Sequence, residues 1–297
     1  MPEAFVVLNP EAGSSAGDAA EPMLRGHLSD AGWTYHICTT SDREEMSQAL
    51  RAVMRGGTDV CVAAGGDGTV STVAGALAHS SVPLAIIPLG TGNILARELG
   101  VPPEPEAALS LLLGSHTTRA IDALQLDDRL FFVAVGVGVS AVMMRDTPQL
   151  EKGRLGRLAY LWTGLKALVG LQPRSFTIVV DGQARNVRAS EVMVANVGAV
   201  GDPYMRWGAQ VRPDDGVMDV CVIRARTVWD FVQLAWYVLT RQQRRASNLS
   251  FFAARESVRI DSPDQLPVQG DGDPVAHTPV QVHIVPRAVT VIVPPAP

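Results

Sequence analysis

Lysine is nearly absent from this chain. Only Lys152 and Lys166 occur among 297 residues, so arginine carries almost all of the positive charge. Cysteine is scarce as well. Cys38, Cys61 and Cys221 lie far apart, each in an apolar run, with no CxxC pair and no histidine cluster. A disulfide framework is therefore excluded and no zinc-binding spacing is offered; reduced core thiols of a cytoplasmic protein are expected. No apolar run approaches the ~20 residues of a membrane-spanning helix, so membrane contact is expected to be peripheral, at the inner membrane face. The start, Met1-Pro2-Glu3-Ala4, leads directly into an apolar strand, which argues against a signal peptide. Basic charge is not in excess. The net charge of −5 argues against nucleic acid as a partner. What is plentiful is apolar character: 47% hydrophobic against 19% charged residues supports a sizeable core without staples.

The first third alternates strand and helix signals. Phe5–Leu8 reads as a buried strand ending at Asn9-Pro10. Glu21 to Ala31 carries Met23, Leu24 and Leu28 at helical spacing. Tyr35–Thr39 is a second strand, and Arg43 to Arg55 repeats the helical pattern. Val60–Ala64 is a third strand and Pro83–Ile87 a fourth. Strands alternating with helices predict parallel βαβ units. Ligands of such sheets sit beyond the carboxyl ends of the strands. Asn9, Thr39 or Thr40, Gly65–Thr69 and Pro88–Asn93 all fall there.

After about residue 118 the pattern changes to many short strands with turn punctuation, including Asp127-Asp128 and Asp181-Gly182. This predicts an α/β nucleotide-binding domain over 1–118 and a mainly antiparallel β-sandwich over 119–285. The last residues, about 286–297, are expected to return to the first domain. Two helical patterns interrupt the second domain. One stripe runs from Leu155 to Val169. The other comprises Val228, Phe231, Val232, Ala235, Val238 and Leu239.

Gly65-Gly66-Asp67-Gly68-Thr69 follows a buried strand and precedes a run of small helical residues. Such a turn can set a phosphate against backbone N–H groups, and its carboxylate can hold magnesium or take a proton. Pro88-Leu89-Gly90-Thr91-Gly92-Asn93 is a second turn of the same kind. Gly90 and Gly92 permit close backbone approach, and Thr91 and Asn93 offer short polar side chains. Asn93 can equally be a plain helix N-cap. Asn9-Pro10 with Gly13 forms a third polar loop at the same edge.

These three loops, in this order, resemble the diacylglycerol kinase catalytic-domain family, which includes bacterial lipid kinases and the sphingosine and ceramide kinases. The likeness runs nearly end to end. It extends through Ile121-Asp122, Phe131 to Gly138, Gly156-Arg157-Leu158-Ala159-Tyr160, Pro213 to Asp219 and Asp271-Gly272-Asp273. The resemblance implies an α/β domain joined to a β-sandwich with the active site between them. It implies transfer of the γ-phosphoryl group of ATP to a lipid hydroxyl, with magnesium. Asn9, Thr40, Gly65 to Thr72, Gly90, Thr91 and Asn93 would then bind the nucleotide, with Val70, Ser71 and Thr72 beside the phosphates. Asp67 would serve magnesium or the incoming hydroxyl. Asp273 would accept the proton, and Asp122 would lie near the acceptor hydroxyl. Asp215, with the carbonyls of Arg212 and Val217, would form a second metal site.

Two departures stand out. The family often has Asn-Glu where this chain has Ser71-Thr72, and Asp273 replaces a glutamate one methylene longer. They leave a catalytically weak nucleotide- or lipid-binding relative as one alternative. An NAD kinase-like small-molecule kinase is the other, because a similar first turn occurs there. The lipid substrate is expected at a membrane surface. The helix carrying Trp229 and Trp236, followed by Arg241, Arg244 and Arg245, has two readings: a helix packed on the sandwich, which is the default, or a bilayer contact. Oligomeric state, homodimer included, is open.

Overall fold

The computed structural model describes residues 1–13, 16–138, 173–200, 202–206, 211–240, 242 and 246–295. The stripe from Leu155 to Val169, the Gly156–Tyr160 motif and Arg241, Arg244 and Arg245 lie outside them. Two compact units emerge. The first comprises Met1–Ala123 and Pro286–Pro297 with residues 201–203; the second comprises Leu124–Val200 and Tyr204–Val285.

In the first unit, β1 (Glu3–Leu8), β2 (Thr34–Thr39), β3 (Val60–Gly65) and β4 (Leu84–Pro88) form a parallel sheet in the order β2-β1-β3-β4. β3 is buried along its whole length, as a central parallel strand covered on both faces must be. α1 (Ala16–Asp30), α2 (Arg43–Gly56), α3 (Asp67–Ala76), α4 (Ile94–Glu98) and α5 (Pro105–Leu113) complete this unit. α1 begins five residues before the expected Glu21 and carries Pro22 inside it. α2 is capped by Asp42, which accepts from the Glu45 N–H at 3.0 Å.

β5 (Thr117–Leu126) begins in the first unit and enters the second at Leu124. The second unit is a sandwich of two antiparallel sheets. The strands that follow β5 are β6 (Arg129–Phe131), β7 (Ala134–Gly138), β8 (Arg174–Val180), β9 (Gln183–Ala189), β10 (Glu191–Ala195), the short pair β11 (Ala199–Val200) and β12 (Asp202–Arg206, whose first two residues belong to the first unit), β13 (Met218–Ile223), β14 (Leu249–Ala254), β15 (Ser257–Asp261), β16 (Pro267–Gly270), β17 (Asp273–His277) and β18 (Val280–Val293). One sheet has the order β14-β13-β10-β7-β16-β17; β18-β15-β8-β9 builds the other. Alternate residues face inward: Val135, Val137, Val192, Val194, Val220 and Val222 meet Phe176, Ile178, Val258, Ile260 and Val282 in one buried core. The outer face of the six-stranded sheet carries Met193, Cys221 and Ile223 under α6 (Val228–Leu239). This agrees with the α/β-plus-sandwich class read from the pattern of strands and helices.

β18 is one continuous strand; Pro286 and Arg287 lie inside it, with Arg287 at φ 53°. The strand belongs to the second unit through Val285 and to the first from Pro286, where Val291 pairs with Leu84 of β4. On α6, Leu234 and Val238 face the sheet, whereas Val232, expected in the apolar stripe, is exposed. The helix is apolar on nearly every side, so periodicity alone does not select its inner face.

Candidate active site

The polar loops converge at the carboxyl edge of the parallel sheet. Asn9 follows β1, and its N–H donates to the Ala64 carbonyl of β3 at 2.9 Å. Its Nδ2 donates to Thr69 Oγ1 at 3.2 Å, tying the first loop to the glycine turn. Gly65 ends β3, Gly66 precedes the first residue of α3, and Asp67 opens the helix. Leu89 N–H then donates to the Gly65 carbonyl at 2.9 Å and docks the second glycine loop beside the first.

The two loops touch through backbone. A Cβ on Gly90 would stand 2.6 Å from Gly66 Cα, and one on Gly92 would stand 2.6 Å from Asp67 Oδ2. Real Cβ atoms do not come that close, so a side chain at Gly90 would force the loops apart, and one at Gly92 would displace the Asp67 carboxylate. Asp67 joins them directly. Its Oδ1 accepts the Ile94 N–H at 2.5 Å. Burial pushes its carboxyl up from the ordinary aspartate value, against the pull of the Ile94, Asn93 and Leu95 amides and the Arg97 charge.

Asn93 does precede α4, but its side chain does not cap the helix. It sits at φ 48° and turns back on its own loop, accepting from Gly90 N–H at 3.0 Å and donating to the Gly90 carbonyl at 2.7 Å. The Ile94 amide is left to Asp67 instead. Thr91 is exposed in the same loop. Thr72 donates to the Gly68 carbonyl at 2.8 Å along α3. Val70 is buried, and Ser71 is partly so. Thr40 is buried at the end of β2; its hydroxyl donates to Glu45 and accepts from the Asp42 N–H at 3.1 Å.

Asp122 on β5 is 1% exposed. Its Oδ1 accepts the Arg287 N–H at 2.8 Å, where β18 passes through its left-handed residue. It is a fixed carboxylate in the middle of β5.

In the second unit, Asp215 Oδ1 accepts the Val217 N–H at 3.1 Å across a tight turn with Gly216 at φ 68°. Arg212 pairs with Asp214 at 3.2 Å. Burial and the Asp215 charge together push the Asp219 carboxyl up to about 6. Asp271 and Gly272 make a two-residue hairpin turn between β16 and β17, with φ of 48° and 94°. The Asp271 carboxylate accepts three successive amides, from Phe132, Val133 and Ala134, at 2.8, 2.9 and 3.0 Å. Asp273 is the first residue after that turn, paired with Gly270 in the hairpin register.

The diacylglycerol kinase catalytic domain matches residues 3–126, and the YegS C-terminal NAD kinase beta sandwich-like domain matches residues 133–293. This chain belongs to the diacylglycerol kinase and YegS-like lipid kinase family. A protein of Pseudomonas putida named "Probable lipid kinase YegS-like" is 31% identical over 207 residues, covering 67% of this chain and 68% of its own length. A Bacillus subtilis "Diacylglycerol kinase" is 25% identical, covering 92% of this chain and 90% of that one. A crystal structure of a diacylglycerol kinase from Bacillus anthracis str. Sterne shares the fold, with a TM-score of 0.79 at 24% identity over 99% of this chain and 97% of that one. The chain is thus a lipid kinase, a phosphotransferase.

Within this lipid kinase, two cations near the glycine turn escaped the sequence reading. Arg43 in the first turn of α2 places its Nη2 2.8 Å from where a Cβ on Gly68 would stand. Arg97 of α4 acts electrostatically on Asp67. Arg97 could have been suspected from its place one turn after Asn93. Arg43, 24 residues before Asp67, carries no local signal.

Magnesium, which the family implies, suits the residues present. Asp215, in the turn before β13, and Asp219, on β13, are two carboxylates close enough to interact, and carboxylate oxygens suit a hard cation; among the described residues no group of three or more His, Cys, Asp or Glu side chains gathers to hold one. At Asp67 a single half-buried carboxylate stands between the glycine loops, where phosphate oxygens would supply further ligands.

Proposed function

We propose that this lipid kinase transfers the γ-phosphoryl group of ATP, in line, to the hydroxyl of a diacylglycerol-like lipid, with magnesium. The observation that carries the reading is the joining of two glycine-rich loops through the Asp67 carboxylate and the Ile94 amide, at the carboxyl edge of a parallel sheet. Such an edge offers backbone amides to phosphate where Gly66, Gly90 and Gly92 keep side chains out of the way. Asn9, Thr40, Gly65 to Thr72, Gly90, Thr91 and Asn93 are assigned to the nucleotide. Arg43 and Arg97 add positive charge for the phosphates.

Phosphoryl transfer leaves little covalent work to the protein, so positioning and charge neutralisation dominate. Magnesium, when bound, neutralises phosphate charge. Asp67 is assigned to hold it or the incoming hydroxyl, and Asp215 with the Arg212 and Val217 carbonyls to hold a second ion. Asp273 takes the hydroxyl proton, and Asp122 fixes the acceptor side. The protein acts from the cytoplasm at the inner membrane face. The lipid-kinase names of the relatives support a lipid acceptor over an NAD kinase-like one; the NAD kinase likeness of the second domain is one of fold.

The test is phosphorylation of a lipid panel, diacylglycerol first, by the full chain with radiolabelled ATP, with and without magnesium. Magnesium-dependent labelling of diacylglycerol is expected. Asp67→Asn should cut turnover by orders of magnitude while the protein stays folded. Near-normal turnover in that variant overturns the assignment.

A further inference from the structure

Among the described residues, five large apolar side chains are exposed, and three of them share one face of α6. Trp229, Val232 and Trp236 are 73%, 49% and 64% exposed. Their spacing of three and four residues puts them on a single stripe. The opposite side of the helix is already used: Leu234 and Val238 are buried against the outer face of the six-stranded sheet, and Tyr237 packs beside them. Packing on the sandwich therefore uses Leu234, Tyr237 and Val238 and leaves the tryptophans outside it.

The helix is also firmly placed. Thr227 and Asp230 form a reciprocal capping box, with Oγ1 accepting from Asp230 N–H at 3.2 Å and the Asp230 carboxylate accepting the Thr227 amide at 2.9 Å. A rigid 12-residue helix holding two exposed indoles is costly to keep in water unless something covers it.

We infer that the Trp229–Val232–Trp236 face of α6 docks into the headgroup region of an anionic lipid bilayer. Three observations select this occupant. Indoles are amphipathic and favour the boundary between headgroup and acyl chain. The local charge suits an anionic surface: residues 224–248 hold five arginines and one carboxylate in a chain of net charge −5. That carboxylate is Asp230, engaged in the capping box, while Arg226 next to it is exposed. A second copy of the chain fits less well, because three side chains fall far short of the roughly 20 residues a side of a stable protein interface. The inference rests on the lipid-kinase reading, since an acceptor dissolved in a bilayer must be met at its surface.

The test is co-sedimentation with large unilamellar vesicles of phosphatidylglycerol and phosphatidylcholine, comparing wild type with Trp229→Gln/Trp236→Gln. Wild type should bind, with a blue shift of tryptophan emission, and salt should weaken binding. The double variant should lose about a hundredfold in partitioning, about tenfold per indole. Both side chains are exposed, so its melting temperature should match wild type. Phosphorylation of water-dispersed dioctanoylglycerol should be unchanged, which separates this proposal from the assignment of the reaction. Equal vesicle binding by the variant overturns the proposal, as does absence of binding by wild type. A lipid-free dimer that the variant dissociates overturns it too, by assigning the face to a second copy.

Discussion

Gly90→Ala isolates the contact between the two glycine loops. The added Cβ would lie 2.6 Å from Gly66 Cα and 2.9 Å from Asn93 Oδ1. Ordinary carbon–carbon contact begins about 0.8 Å further out. The nearer neighbour is backbone, which cannot swing aside as a side chain can. The loops must therefore part, and the separation falls on Leu89–Gly65 and Asp67–Ile94, the bonds that set them together. Overpacking of this kind costs about 1–3 kcal/mol. In a chain of this size that lowers Tm by roughly 2–10 °C. Activity should fall further, because displacing a reacting group by about 1 Å costs about a hundredfold. Thermal melting and kcat/KM for lipid phosphorylation, measured together, give the result. Gly75→Ala is the control. It lies inside α3 with open space around its Cβ direction, so activity should be unchanged and stability equal or slightly higher. Wild-type Tm and kcat/KM in Gly90→Ala would refute the close approach and the site built on it.

Asp67→Asn should be no less stable than wild type at neutral pH, although inactive. The folded carboxyl holds its proton to higher pH than in the unfolded chain, so wild-type stability falls as pH rises through that window, and the variant, followed by denaturant titration across pH, should lack this slope. Asp273→Asn should lower turnover about a hundredfold or more with little change in KM for ATP, whereas Asp273→Glu should retain activity. Asp271→Ala leaves the Phe132, Val133 and Ala134 amides without their acceptor and should cost about 3 kcal/mol in chemical denaturation, with Asp271→Asn less harmful.

The parallel sheet was legible because strand and helix signals alternate and the strands are stopped by polar loops. The sandwich was legible because its strands are short and its turns carry Asp and Gly. Both signals are local to one element or one turn. What stayed hidden is the identity of partners across long separations. Glycine spacing around residues 65 and 90 said that backbone must come close, but not that each loop is the other's neighbour. Asn93 looked like a cap because its type and place fit one. Its left-handed backbone instead points its side chain at Gly90, and the helix amide goes to a carboxylate 27 positions away. Val232 was misplaced for a related reason. On a helix apolar all round, only the sheet beneath decides which residues are inside.

Asp67 shows why site residues are harder to read than folds. Its position between two glycines suggested a carboxylate that can hold magnesium or take a proton. In the structure it has a full set of local duties: Oδ1 holds the Ile94 amide, Oδ2 lies over Gly92, and burial raises its pKa. These duties and the proposed chemistry are compatible, because a carboxylate offers about four acceptor positions and the Ile94 bond uses one. The amides also fix the carboxylate in place, and burial heightens its attraction for any cation that reaches it. The same anchoring makes Asp67→Asn a clean probe. Asparagine keeps an oxygen for Ile94 and so preserves the junction of the loops, while removing the charge. Gly90→Ala does the reverse, disturbing the junction and keeping the charge. If the two variants lost activity equally and also lost stability equally, charge at Asp67 would have no part separable from architecture. The expected pattern is different: lost turnover in both, and lost stability only in Gly90→Ala.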